Sequence, residues 1–312
     1  MAGPREPVGR HELLGRVREL VRDYRFVAEP IQALASTGAS YRSRAEHHLL
    51  RLFGVLGRDD ARFDDAIEAF VEMTVDVMRM QDRFFRTGQF DAGPELLADG
   101  RLYTDADLMG RRYLCGLYLA QVLWPNHLAK LEYFEAEFLP LAVDGVRVLE
   151  VGTGPGTYGL GIGRAVACGE LILNDISSLS VEMAQRMAMT DPVRKPETLR
   201  FSTTDFLEFD ETAGPFDLVL FSEVVEHLQD PGQGLERLGR VLAPGAAVFF
   251  STATNAAFYD HTIVFETVSE VKAMLGEHGL NISKERTILA APGPDGRDVI
   301  DYSAVLTAAG RS

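Results

Sequence analysis

The sequence predicts an α/β protein, a seven-stranded, doubly wound, mainly parallel sheet that follows an all-α domain or lid. Up to about residue 145, apolar residues recur at three-and-four spacing, as in "DDAIEAFVEMTVDVMRMQDRFF" at 64–85, which is typical of amphipathic helices. Beyond it, short apolar segments, glycine turns and helical patterns alternate, which favours a parallel sheet with helices on both faces. We therefore expect two domains, a helical one at 1–144 and a sheet domain at 145–312.

The same periodicities place the individual elements. Helices are predicted in the first region at 11–28, 43–57, 64–85, 105–123 and 126–141. Strands are predicted in the second region at 146–151, 171–175, 199–203, 216–222, 246–252, 282–289 and 299–307, with helices at 157–168, 178–190, 232–242 and 267–278. No helical pattern separates the last two strands, so they should form an antiparallel hairpin at one edge of the sheet.

Composition limits the partners. The formal net charge is −15, from 46 acidic and 31 basic residues, and such a surface repels nucleic-acid backbones and anionic membranes. We therefore expect a small-molecule substrate, free or carrier-bound, rather than bulk nucleic acid or a membrane. Two distant cysteines and a first segment, "MAGPREPVGR", without a signal-like apolar stretch suit a cytoplasmic protein. A homodimer through the helical region is a further expectation.

The segment "LEVGTGPG" at 149–156 predicts a ligand site at the end of the first strand. A pyrophosphate would need backbone N–H groups and no nearby acid, but Pro155 lacks an N–H and Glu150 adds a negative charge. Both departures fit a cationic cofactor without phosphate. S-adenosylmethionine (SAM) carries a sulfonium and an α-ammonium group, and glycines let the backbone approach it closely.

Acids at the ends of the following strands extend this site. Asp175 in "LILNDIS" is placed to accept hydrogen bonds from both ribose hydroxyls, and Asp205 in "STTDF" is placed to bind the adenine amino group. Phe206 would lie beside the adenine ring, and Ser222 would border the methionine arm. The predicted cofactor-binding residues are Glu150, Gly152, Thr153, Gly154, Gly156, Asp175, Ile176, Asp205, Phe206 and Ser222.

The motifs together resemble the class I SAM-dependent methyltransferase superfamily over roughly residues 145–310. They are "LEVGTGPG", "NDIS", "TTDF", "DLVLFSEVVEHLQDP" and "VLAPGAAVFFST", in that order. The resemblance implies the sheet order 3-2-1-4-5-7-6 with an antiparallel seventh strand, SAM as the cofactor, and direct displacement at the sulfonium methyl. The helical region matches none of these motifs, so it should select the acceptor.

Candidate catalytic residues follow the fifth strand in "TATNAAFYDHTIVFET", a loop that faces the substrate in this fold. His261 is the first choice for a general base, and Tyr259 is a second candidate in the same loop. Asn255 and Phe258 are expected to contact the substrate. An ordinary surface loop is the alternative interpretation.

The segment "EVVEH" at 223–227 supports three interpretations. His227 could serve as a general base, because its ordinary pKa lies near neutral pH. Glu223, Glu226 and His227 could instead bind a divalent metal, or could open a short helix. Because such sites usually need three or four ligands, and more for hard cations, we expect no metal.

A cluster of aromatic and polar residues interrupts the helical pattern just before the sheet domain. Trp124, Asn126 and His127, with Tyr113 upstream, lie in "RRYLCGLYLAQVLWPNHLAKLEYF" at 111–134. We expect them to line the substrate site, with aromatic faces towards a cation. The alternative is an aromatic stripe in the core. His47 and His48 are expected at the surface.

Three functions are compatible with these motifs. The first is methyl transfer from SAM to a small-molecule acceptor of secondary-metabolism type. The second is attack on the methionine γ-carbon with release of methylthioadenosine, which either transfers the 3-amino-3-carboxypropyl arm or closes it to azetidine-2-carboxylate. The third is a non-catalytic SAM-binding subunit. SAM would be bound alike in all three.

Overall fold

The computed structural model describes residues 13–90, 105, 109–110, 113–258 and 260–308. It contains one seven-stranded sheet of order β3-β2-β1-β4-β5-β7-β6, which confirms the predicted fold class and strand order. The strands are β1 Arg147–Val151, β2 Glu170–Asp175, β3 Leu199–Thr203, β4 Phe216–Ser222, β5 Leu242–Thr254, β6 Leu280–Ala291 and β7 Val299–Ala308. Strands β1 to β5 pair in parallel, and β7 runs antiparallel to both β5 and β6.

Ten α-helices lie within the described residues. They are α1 Leu13–Leu20, α2 Arg25–Ser36, α3 Ala39–Val55, α4 Asp60–Thr87, α5 Leu114–Leu123, α6 Pro125–Tyr133, α7 Thr157–Ala165, α8 Ser178–Thr190, α9 Pro231–Val241 and α10 Val268–Glu277. None of these described helices is long and apolar enough to cross a membrane.

The first predicted helix, at 11–28, is wrong as a single element. Helix α1 ends at Leu20, and Tyr24 takes a non-helical backbone conformation before α2 begins at Arg25. Proline lacks an N–H and distorts a helix interior. Pro30 lies inside the second helix, in its second turn.

The core is divided by the sheet into two hydrophobic clusters. Val148 and Leu149 are neighbours in β1, yet they belong to different clusters, because successive side chains of a strand point to opposite faces. The cluster of Val148 also contains buried residues of α1 to α6. The helical region therefore shares one continuous core with one face of the sheet.

Register brings the ends of three strands together. Val151 at the end of β1 lies opposite Asn174 of β2 and Phe221 of β4. The residues that follow these positions, including Asp175 and Ser222, consequently meet at one edge of the sheet. Strand order reverses at β1, which is where doubly wound sheets bind their ligands.

The predicted surface position of His48 is wrong, whereas His47 has 61% of its side chain exposed. His48 lies inside the helical layer with 7% exposure and contacts the ring of Tyr118 at 5.6 Å between centroids. Burial lowers the pKa of His48 to about 3, with Arg51 nearby as a further cause. The imidazole is therefore neutral in the folded protein at ordinary pH.

Because His48 is buried and neutral in the folded protein, we expect the free energy of unfolding to depend on pH. Below pH ~6.5, His48 is protonated in the unfolded chain but not in the folded chain. The free energy of unfolding therefore decreases as the pH is lowered, until the pKa of His48 in the folded protein is reached. Between pH 7 and 5 the loss from this residue is about 2 kcal/mol. The free energy of unfolding is measured with urea at pH 7 and at pH 5. Its decrease between these pH values should be smaller in His48→Gln than in the unmodified chain by about 2 kcal/mol.

The exposed neighbour provides the control. His47→Gln should keep nearly the whole pH dependence of the unmodified chain. An equal pH dependence in His48→Gln and the unmodified chain would contradict a buried, neutral His48.

Candidate active site

A cavity of about 600 Å³ lies between the helical layer and the carboxyl ends of the central strands. Its walls come from α2, α4, α5 and α6, from the turn after β1, from the end of β4, and from the loop after β5. The helical layer therefore covers the place where strand order reverses. A partly enclosed site of this size suits a small molecule.

The turn after β1 depends on glycine. Gly152 and Gly154 have φ values of 65° and 48°, in the left-handed region that side chains disfavour. A Cβ atom at Gly152 would also approach Val224 Cγ2 to 2.8 Å. Both glycines line the cavity with Thr153, whereas Gly156 lies just outside it, before α7. The bare backbone therefore forms part of the cavity wall.

Glu150 lies beneath this turn and is 3% exposed. Its carboxylate accepts hydrogen bonds from Thr153 Oγ1 at 2.7 Å and from the Gly159 amide at 3.1 Å. Burial raises the pKa of Glu150 to about 7, although these two bonds oppose the rise. The residue thus connects the turn to α7 and adds a carboxyl group to the cavity wall.

Asp175 joins the turn from the end of β2. Its two carboxylate oxygens accept from the Gly154 and Ser177 amides, each at 2.8 Å. Burial raises the pKa of Asp175 against the effect of these bonds. Carboxylate oxygens have further lone pairs, which leaves acceptor capacity for hydroxyl groups. Ile176 follows with 52% exposure, which makes an apolar surface available beside the acid.

Asp205 and Phe206, the two residues expected around adenine, differ in their burial and in what they contact. Asp205 is half-buried and accepts from the Leu207 amide at 2.9 Å. Phe206 is 5% exposed and packs against Phe221 and Phe209, with centroid distances of 5.7 and 6.3 Å. Its ring therefore belongs to the second hydrophobic cluster, because the chain turns it into the core.

The predicted substrate residues Tyr113, Trp124, Asn126, His127 and Phe258 all line the cavity. The Tyr113 and Phe258 rings stack at 6.0 Å, and Trp124 and His127 meet edge to face at 5.0 Å. Burial lowers the pKa of His127 to about 3, with Lys130 as a further cause, so this ring is neutral.

Asn255 is not among the cavity-lining residues. Its amide nitrogen donates to the carbonyl oxygens of Glu266 and Asp298, at 3.1 and 3.0 Å, so the side chain secures the backbone instead. The amide nitrogen of Asn255 is therefore already occupied by the backbone. Tyr259 lies outside the described residues.

A buried ion cluster that the sequence analysis missed forms another part of the wall. Lys130 is 1% exposed, with Nζ 3.0 Å from Glu223 Oε1 and 3.7 Å from Asp301 Oδ2. Burial alone would lower the pKa of Lys130, but the two carboxylates outweigh it and raise the pKa, so the side chain is an ammonium. Asn126 donates to Asp301 at 2.9 Å from the preceding turn of α6.

The cluster extends to the predicted methionine-arm residue. Ser222 Oγ lies 2.6 Å from Ser251 Oγ, which donates to Glu223 at 2.7 Å. Two signals in the sequence could have revealed this cluster. Asn126 and Lys130 are four residues apart, which places them on the same face of a helix. Asp301 is an acid in the otherwise apolar segment "VIDYSAVL" of β7, where a charge is unusual without a partner.

The two candidate histidine bases meet in the cavity wall, with ring centroids 5.1 Å apart. Burial alone would lower the pKa of His227, but the carboxylates of Asp260 and Glu226 outweigh it and raise the pKa. Burial lowers the pKa of His261 to about 4, with His227 as a further cause. His261 is consequently the weaker base of the two.

Glu226 completes this group in the short 3₁₀ turn Val225–His227. It is 1% exposed and accepts from Thr252 Oγ1 at 3.0 Å. Burial raises the pKa of Glu226 to about 8, with Glu223 as a further cause. A buried carboxyl group therefore lies beside both imidazoles.

Comparison with known proteins identifies the class to which this fold and site belong. A family model described as a methyltransferase domain matches residues 126–286, just over half of the chain. The chain belongs to this family and thereby to the class I SAM-dependent methyltransferases, as its motifs predict.

Individual relatives are more distant. The chain is 30% identical over 152 residues to an uncharacterized methyltransferase of Schizosaccharomyces pombe, a match that covers 46% of this chain and 53% of that protein. The chain thus spans about half the length of that relative. It is 28% identical over 179 residues to a ubiquinone biosynthesis O-methyltransferase of Xanthomonas axonopodis pv. citri, which covers 57% of this chain and 72% of that protein.

Among solved structures, the N-methyltransferase NodS of Bradyrhizobium japonicum, in complex with S-adenosyl-L-homocysteine, is 20% identical with a TM-score of 0.47. The likeness covers 59% of this chain and 88% of that one.

SAM is the cofactor of this family and of this chain. The residues present fit it, because the turn after β1 offers bare backbone beside the Glu150 carboxyl group and Pro155 offers no N–H to a phosphate. Asp175 meets the same turn at Gly154 and retains acceptor capacity.

Asp175→Ala should weaken SAM binding by ~1–3 kcal/mol, because it removes a buried hydrogen-bonding partner. Isothermal titration calorimetry with SAM measures this change, and circular dichroism verifies the fold. Asp210 is a surface acid whose carboxylate accepts hydrogen bonds from Thr212 in the same turn. The affinity of the Asp210→Ala variant for SAM should therefore equal that of the unmodified chain. Unchanged affinity in Asp175→Ala would show that the ribose lies elsewhere.

Lys130→Met should destabilise the protein by about 3 kcal/mol, because it leaves the buried Asp301 carboxylate and the half-buried Glu223 carboxylate without a counter-ion. Adding Glu223→Gln to this variant should recover much of the loss in urea unfolding. Lys284 pairs with Glu137 at the surface, so Lys284→Met should cost less than about 1 kcal/mol. Equal costs for the two single lysine variants would contradict a buried, paired Lys130.

Proposed function

We propose that the chain is a SAM-dependent methyltransferase that acts on a small-molecule acceptor, free or carrier-bound, by direct displacement at the sulfonium methyl. The observation that carries this proposal is the aromatic-lined cavity of about 600 Å³ between the helical layer and the turn after β1. Its size suits a small acceptor, and the net charge of −15 disfavours bulk nucleic acid.

The cofactor would be held by the edge of the sheet where β1, β2 and β4 end. We assign the ribose to Asp175, the adenine to Asp205 and Ile176, and the methionine arm to the glycine turn and Ser222. When bound, SAM supplies a methyl group on a positively charged sulfur. Glu150 contributes negative charge when ionised, which favours a cationic ligand.

The helical region would select and enclose the acceptor. Tyr113, Trp124 and Phe258 place aromatic surface in the cavity, and this apolar wall excludes water from the reacting atoms. Holding the acceptor in line with the methyl group would supply much of the rate by proximity. We therefore propose residues 1–144 as the acceptor-selecting domain and 145–312 as the cofactor-binding domain.

An oxygen acceptor must also lose a proton. The cluster of Glu226, His227 and His261 is the group we assign to this step, since all three line the cavity. The Nδ1 atoms of His227 and His261 lie 2.8 and 3.2 Å from the backbone carbonyl oxygens of Asp260 and Ala256. Each Nδ1 therefore carries the proton when its ring is neutral, which leaves Nε2 as the basic atom.

Product analysis tests the reaction. The protein is incubated with SAM alone and with a panel of phenols, catechols and amines, and nucleoside products are separated by chromatography. We expect adenosylhomocysteine only when an acceptor is present, and Asp175→Ala should lower the yield at limiting SAM.

Two results would contradict the proposal. Methylthioadenosine formed from SAM alone would show attack on the methionine γ-carbon instead. Tight SAM binding without turnover across the panel would favour the non-catalytic subunit.

A further inference from the structure

Glu226, His227 and His261 form a cluster that acid–base chemistry alone does not explain. One potential ligand atom from each residue lies within 4.8 Å of the others, and all three residues line the cavity. Ligands about 2.1 Å from a shared ion lie roughly 3–3.5 Å apart, so modest side-chain rotations would complete a site. We propose that these three residues bind one divalent transition-metal ion inside the cavity.

The histidines are already oriented for this role. Each Nδ1 is hydrogen-bonded to a backbone carbonyl, that of Asp260 for His227 and that of Ala256 for His261. Such a bond fixes the tautomer and the ring orientation, and it leaves the Nε2 lone pair for a metal. The rings stand at 85° to one another with centroids 5.1 Å apart. Two imidazoles are thus held beside each other by the backbone.

Glu226 provides the third ligand. Its Oε2 accepts from Thr252, whereas Oε1 is buried and has no hydrogen-bond partner among the described residues. A buried carboxylate oxygen without a partner is costly, and a bound cation would satisfy it. The Thr252 contact would remain behind the metal ligand and orient it.

The acidic residues that line the cavity favour the binding of a cation. Acidic residues of the lining are Asp82, Glu150, Glu223, Glu226 and Asp301. The lysine of the lining, Lys130, pairs with Glu223 and Asp301 and does not pair with Glu226. A divalent ion between the histidines and Glu226 would place positive charge on the part of this acidic lining that Lys130 does not contact.

The donor set indicates the kind of metal. Two imidazole nitrogens and one carboxylate favour Mn²⁺, Fe²⁺, Co²⁺ or Zn²⁺ over Mg²⁺ or Ca²⁺, which prefer oxygen ligands. Three protein ligands leave coordination positions for an acceptor oxygen, whose pKa the ion would lower. With the ion bound, the histidines would act as ligands rather than as direct bases.

This inference replaces the expectation of no metal. That expectation considered Glu223, Glu226 and His227, which are adjacent in "EVVEH". In the structure Glu223 is paired with Lys130, and His261 arrives from the loop after β5. The third ligand is therefore distant in sequence.

Metal binding is measured on the full chain without SAM or acceptor, so the result is independent of methyl transfer. After treatment with a chelator, the protein is titrated with Mn²⁺ or Co²⁺ by calorimetry, and bound metal is counted by mass spectrometry. We expect one ion per chain. Glu226→Gln and His261→Gln should each weaken binding by at least about 10-fold, because each removes a direct ligand.

His278→Gln is the matched control. His278 also has Nδ1 2.8 Å from a backbone carbonyl, that of Met274, but it does not line the cavity. Its removal should leave metal affinity unchanged. The proposal is overturned if the unmodified chain binds no ion, or if Glu226→Gln and His261→Gln bind as tightly as His278→Gln.

A second measurement does not depend on variants that fold. Anomalous scattering from crystals of the unmodified protein soaked in Mn²⁺ or Co²⁺ locates the ion directly. We expect a peak bounded by Glu226, His227 and His261. No peak, or a peak only at other residues, would overturn the proposal.

Discussion

The rest of the site depends on the carboxyl group of Glu150 buried beneath the turn after β1. Its two oxygens hold Thr153 of the turn and the Gly159 amide of α7, so the strand, the turn and the helix keep one geometry. Gly159 is needed for this contact, since a Cβ atom there would lie 2.5 Å from Glu150 Oε2. The glycine backbone then faces the cavity without a side chain.

The helical layer covers this edge of the sheet, and a partly enclosed cavity lies between them. Its side chains and one face of the sheet form a single hydrophobic cluster, so closing the cavity is part of folding. Enclosure has an electrostatic consequence, because charges removed from water must be paired. Lys130 pairs with Glu223 and Asp301, whereas it makes no ion pair with the buried carboxyl group of Glu226.

The surroundings of several residues in the folded protein differ from what the local pattern indicates. Phe206 follows the adenine-side acid, yet the short turn at Phe206–Glu208 directs its ring into the core. His48 lies next to exposed His47, but it occupies the buried side of α3 against Tyr118. Asn255 has an amide suited to a substrate, but two backbone carbonyls already occupy it. The role of each of these side chains depends on its burial and its hydrogen-bonding partners, and the adjacent residues in the sequence determine neither.

The sequence by itself determined the strand–helix alternation, the order of the sheet through its motifs, and the cofactor class. The alternation and the cofactor class rest on local causes, namely periodicity, a turn that only glycine fits, and acids at strand ends, whereas the strand order is what the resemblance of the motifs to a known family implies. Only the tertiary structure decided which side chains share the cavity. Lys130 and Asp301 meet because the helical layer packs on the sheet, whereas His227 and His261 meet because they follow the neighbouring strands β4 and β5. Both pairs are distant along the chain, so the contact within each pair is a property of the folded structure.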